Sequence, residues 1–161
     1  MISRKLLGEI EKYIVLHYEP GLIEERQDAI QAPVFLRKAK SLDEVLAQRE
    51  ETFSERLLRL IDESGMTDVE VYKRAHVDRR NFSKIRSNTE YRPSKNTAVA
   101  LCLGLHLSVD SAKDLLDSAG YSLSKSIKSD LIVMYFLEKE IYNIDVLNDV
   151  LDQYGFDTPH G

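Results

Sequence analysis

Tryptophan is absent from the 161 residues, cysteine occurs once, and proline and glycine number only 4 and 7. A single thiol, Cys102, excludes an intrachain disulfide and fits a reducing, cytoplasmic setting. It lies in the run AVALCLGL, whose apolar neighbours and lack of a basic partner point to a small buried hydrophobe, not a nucleophile. No stretch of 18 apolar residues occurs, so no membrane span is expected. The N-terminal MISRKLLGEIEKYIVLHYEP is basic and then apolar, but Glu9, Glu11 and Lys12 interrupt it and no small-residue cleavage site follows. It reads as a cytoplasmic helix. There is no Gly-rich phosphate loop, GxSxG or CxxC, and His17, His76, His106 and His160 lack metal-ligand spacing. The carboxylates fall at helical-surface spacings. The expectation is therefore a chain without catalytic centre, cofactor or metal.

Helix formers dominate, apolar periods of three to four recur throughout, and strict alternation is rare, so the fold class is all-α. Residues 3–19 read as a helix closed by Pro20-Gly21. A short helix is expected around 22–30, and Ser41 with Glu44 forms a capping box. Either one long helix runs 42–64 or, as a second capping box of Thr52 with Glu55 favours, two helices meet near Glu51-Thr52, and Gly65 stops the helix in either case. Ser94 opens a helix, apolar nearly all round from Thr97 to Leu105 and so buried on most faces. Ser108 caps another that ends at Gly120, and residues 126–142 and 145–154 supply two more. The eight tyrosines are scattered over different helices, and most read as core-edge residues with hydroxyls at the surface.

The net charge of −5 is unevenly spread. Residues 66–100 carry 8 Lys/Arg against 4 Asp/Glu, whereas residues 101–161 carry 4 against 10. The basic segment contains Gly65 to Asn88, GMTDVEVYKRAHVDRRNFSKIRSN. Val71 and Ala75 share one helical face, Phe82 and Ile85 share another, and Thr67 and Asp78 are natural N-caps. AHVD, with Val77 turned inward, connects the two short helices.

These residues resemble the helix-turn-helix core of the lambda-repressor-like, or XRE, family, whose second and third helices typically read GLTQEELAEKAGVSRSTISRIERG. Gly65, Thr67, Ala75, Val77, Arg79, Ser83 and Ile85 match without a gap, and Pro93-Ser94 and LGLHLS fit the segment that follows. The resemblance covers residues 53–120. It implies a five-helix lambda-repressor-like bundle with added N-terminal and C-terminal helices. The division is then 1–50 as an N-terminal extension, 51–121 as the helix-turn-helix domain and 122–161 as a C-terminal hairpin. Three positions depart from the pattern. Asp68 stands where Gln contacts DNA and would repel phosphate, Tyr72 replaces a small residue, and His76 replaces the turn glycine.

The function implied is a bacterial or phage-type transcriptional regulator that reads double-stranded DNA with residues 78–87 in the major groove. Phe82 and Ile85 point inward, which leaves Arg79, Arg80, Asn81, Ser83, Lys84 and Arg86 outward. Arg and Asn suit base edges, while Ser83 and Lys84 suit phosphate. Arg92 and Lys95 lie just beyond, placed to grip the backbone. A homodimer through 126–154, with 3–18 as a second contact, would span two half-sites. The alternative partner is an acidic protein surface, with the same fold acting as an adaptor or oligomerisation module.

Overall fold

The structure, a computed structural model, describes residues 2–18 and 51–156. The expected helix at 22–30 and the Ser41 capping box lie outside the described residues. Eight helices and no strand occur among those described: α1 Arg4–His17, α2 Phe53–Ser64, α3 Asp68–Arg74, α4 Arg79–Ser87, α5 Lys95–Gly104, α6 Val109–Ser118, α7 Lys128–Glu138 and α8 Ile144–Gln153. The all-α expectation holds for them. None of these helices is long and apolar enough to cross a membrane.

Local chemistry sets most of the helix starts. Thr52 accepts from Glu55 N at 3.2 Å while Glu55 accepts from Thr52 N at 2.9 Å, so both halves of the capping box are present. Thr67 and Glu70 repeat the arrangement at α3. Ser3, Asp78, Ser94, Ser108 and Asn143 cap the starts of α1, α4, α5, α6 and α8 with their side chains. Five of the helix ends share one device. After α6 and α8 the chain turns left-handed at Gly120 and Gly155, with φ of 82° and 77°. After α3, α5 and α7 it does so at His76, His106 and Glu140, all with φ of 56°. In each case the next N–H closes back on a helix carbonyl, as Val77 N does on Tyr72 O at 2.9 Å and Ile141 N on Phe136 O at 2.9 Å. Glu140 is why α7 stops at Glu138 instead of running to 142. Likewise α1 ends at His17, because Tyr18 is extended.

The core is organised around α5. Every residue from Thr97 to Gly104 is buried, and α3, α6 and α8 all pack on this helix. α7 is equally enclosed: Leu131 to Leu137 are at most 5% exposed, covered by α1, α6 and α8 of the same chain. The apolar surface of α7 is thus used within the chain. That leaves little of it for the dimer contact expected at 126–154. Cys102 is fully buried in α5, and burial pushes its thiol up to about 12.

Seven of the tyrosines sit at the core edge and Tyr135 is buried within it, but four hydroxyls are fasteners instead of solvated tips. Tyr121 donates to Pro93 O at 2.8 Å, Tyr142 to Leu107 O at 3.2 Å, Tyr91 to Asn81 Oδ1 at 3.1 Å and Tyr135 to Glu9 Oε2 at 3.0 Å. The described part of 122–161 is therefore bonded to the helices before it. Tyr142 lies on Leu107, and Asp130 reaches Lys95.

His106 is not inside a helix as its apolar context suggests. It occupies the left-handed turn after α5, stacked on Tyr142 with ring centroids 4.4 Å apart. His76, Arg74, Glu140 and Asp145 line the same open cleft of about 500 Å³. Burial, and then the nearby Arg74 charge, lower the His106 pKa. The folded state thus binds fewer protons than the unfolded one just below the usual histidine range. Stability is full above about 6.5, the ordinary histidine pKa, and falls as pH drops through the lowered value. His106→Asn keeps a side chain that tolerates the left-handed turn but does not titrate. Thermal melts between neutral and mildly acidic pH are expected to fall less steeply for His106→Asn than for the wild type.

Candidate nucleic-acid interface

The candidate surface is the outer side of α4. Asp78 accepts from Arg80 N at 2.7 Å and so fixes the first turn. Phe82 and Ile85 are 3% and 0% exposed and hold the inner side, with Phe82 against the ring of Tyr72 at 5.4 Å. Tyr72, where the pattern has a small residue, thus fills space beside Phe82. With that side fixed, Arg79, Arg80, Ser83 and Lys84 project outward on two adjacent turns, all exposed. None of the four side chains has a hydrogen-bond or ion-pair partner among the described residues. Three positive charges therefore stand together near the N-terminal end of a helix, which itself favours anions. Ser54, fully buried at the start of α2, donates to Asn88 O at 3.3 Å and ties down the other end of α4.

The remaining four expected residues are engaged elsewhere. Asn81 is half-buried and accepts from the Tyr91 hydroxyl, which withdraws its amide oxygen from readout. Arg86 is exposed but bonded to Asp68, with Nη1 2.8 Å from Oδ2. Asp68 is therefore not a bare repelling charge: it joins the first turn of α3 to the last turns of α4 and cancels one cation. Arg92 is exposed and lies over the Tyr121 ring at 4.8 Å. Lys95 departs most from expectation. Its ammonium sits 2.9 Å from Asp130, a residue 4% exposed whose carboxylate also accepts from Ser124 N at 3.0 Å. Lys95 is thus directed toward α7 and away from the four free positions of α4.

Tyr91 and Asp130 are the residues that sequence reasoning missed, and Asp68, read there as a repelling charge, is instead the partner of Arg86. Only Asp130 carried a signal, as a lone carboxylate within SDLIVMYF that a buried helix must pair with a cation. No cluster of three or more His, Cys, Asp or Glu side chains is placed to hold a metal ion among the described residues. No family model, curated protein or solved structure matches the chain.

Proposed function

We propose that the protein is a sequence-specific DNA-binding regulator that sets α4 in the major groove. The observation that carries this reading is the exposed group Arg79, Arg80, Ser83 and Lys84, without described partners, in a chain that is acidic as a whole. Supporting it are the count and order of α2 to α6, five helices within 53–120, which suit a lambda-repressor-like bundle. Arg79 and Arg80 are the base-reading residues of this proposal. Ser83 and Lys84 hold phosphate, and Arg92 adds a weaker contact from the loop. Lys95 and Asn81 have no direct role in it. A second reading, an adaptor that docks an acidic protein surface, is favoured by the excess of acid in residues 101–161, 10 Asp/Glu against 4 Lys/Arg, which could supply such a surface on a neighbouring chain.

A salt-dependent gel shift on DNA from the protein's own operon separates the two. DNA binding predicts a shift at low salt that weakens steeply as salt rises. Arg79→Ala/Arg80→Ala is expected to lose at least about tenfold in affinity, since each good base contact is worth about 1–3 kcal/mol. Asp68→Asn, which frees Arg86 and removes a negative charge, should strengthen binding and steepen the salt dependence by about one unit of slope. A wild type that gives no shift at low salt rejects the DNA reading.

A further inference from the structure

α1 has two apolar sides, and only one is covered. Ile10 and Ile14 are 0% and 9% exposed against the core, and Glu9 accepts the Tyr135 hydroxyl from α7. On the other side Val15 and Leu16 are 81% and 79% exposed, the most open large apolar side chains among the described residues. Gly8, Glu11, Lys12 and Val15 share that side, at the three- and four-residue spacings of one helical face, and line a shallow groove with Leu16. A Cβ placed on Gly8 would meet nothing within 4 Å, so the backbone there is open to close approach.

We propose that this side of α1 is where a second copy of the chain docks, the two α1 helices crossing antiparallel about a two-fold axis between Glu11 and Lys12. In that register Gly8 receives the partner's Val15, and Val15 fills the hollow at the partner's Gly8. Glu11 meets the partner's Lys12, and Lys12 meets the partner's Glu11. A two-fold contact must be self-complementary, and this face is: small opposite large, acid opposite base. A parallel pair would set Glu11 against the partner's Glu11, so the charges select the antiparallel arrangement. The exposed ion pairs orient the contact more than they strengthen it, and the apolar side chains supply the affinity. One crossing of short helices buries less than the roughly 1,600 Å² of a standard interface, so association is weak and concentration-dependent. The contact uses no residue of α4 and stands whether or not α4 meets DNA.

Sedimentation equilibrium of the full chain without DNA tests the contact, from low micromolar to near-millimolar concentration. The wild type is expected to pass from monomer to dimer across this range. Val15→Glu/Leu16→Glu should weaken association at least tenfold while leaving the melting temperature of the dilute monomer unchanged. Glu11→Lys and Lys12→Glu should each weaken it several-fold, whereas an equal mixture of these two variants should associate more tightly than either alone, because every central pair is then opposite in charge. A wild type that stays monomeric throughout overturns the proposal, as does a dimer indifferent to Val15→Glu/Leu16→Glu. It is equally overturned if that double variant destabilises the dilute monomer, which would mean that the chain's own residues 19–50 cover the face.

Discussion

Gly104→Ala is expected to destabilise the protein by about 1–3 kcal/mol, and Gly104→Leu to prevent stable folding. A helix-only argument predicts the opposite sign, because alanine is favoured over glycine by about 1 kcal/mol inside a helix. Packing decides the matter. A Cβ on Gly104 would lie 2.9 Å from Val71 O, 3.1 Å from Ala75 Cβ and 3.2 Å from Ala75 N. Two of those atoms are backbone, and Val71 O already accepts from Ala75 N at 3.0 Å, so no flexible side chain can swing away. α3 itself must move off α5, which opens the core between them. Since α3 leads through His76 into α4, the outward residues of α4 would shift as well. Gly8→Ala is the control: with open space at its Cβ, it should gain roughly 0.5–1 kcal/mol. Urea denaturation of the dilute protein reads both, as midpoints that move in opposite directions with unchanged slope.

Lys95→Met should cost about 3 kcal/mol, and adding Asp130→Asn should recover most of that loss. Asp130 is 4% exposed, and its charge is held by the Lys95 ammonium and one backbone N–H. Removing the lysine leaves a buried carboxylate with a single donor, the costly way to break such a pair. Neutralising the second partner removes the desolvation problem, while asparagine still offers an oxygen to Ser124 N. The reverse single change, Asp130→Asn, should be milder than Lys95→Met, because the Lys95 side chain is 32% exposed and can turn to water. A double-mutant cycle in urea measures the coupling. If Lys95 serves only as a solvent-facing cation, Lys95→Met falls within about 0.5 kcal/mol of the wild type, as surface substitutions usually do.

What the residues announced in advance was the chemistry that acts over a few positions. Thr52 with Glu55, Thr67, Ser94 and Ser108 cap helices because the partner lies two or three residues away. The run from Thr97 to Leu105 could only be buried, having no polar side. Gly65 and Gly120 stop helices because glycine meets no penalty in the left-handed turn. Glu140 stops one with no such mark, so α7 was read too long. The inner and outer sides of α4 were legible, since Phe82 and Ile85 fix the helix phase. The partners of Lys95, Arg86 and Asn81 were not. Those contacts depend on how helices distant in sequence come to lie side by side, which periodicity does not encode. A cation at the start of α5 looks the same in sequence whether it faces phosphate or Asp130.

The seating of α1 on α7 has a consequence for how the chain comes into being. Glu9 and Tyr135 are 126 positions apart, yet they share a hydrogen bond. During vectorial synthesis, at about 5–20 residues per second, α1 waits on the order of ten seconds before α7 exists to receive it. Throughout that interval Ile10 and Ile14 are as uncovered as Val15 and Leu16. The nascent first helix is then apolar on both sides, and until α7 emerges it presents the kind of surface that chaperones bind.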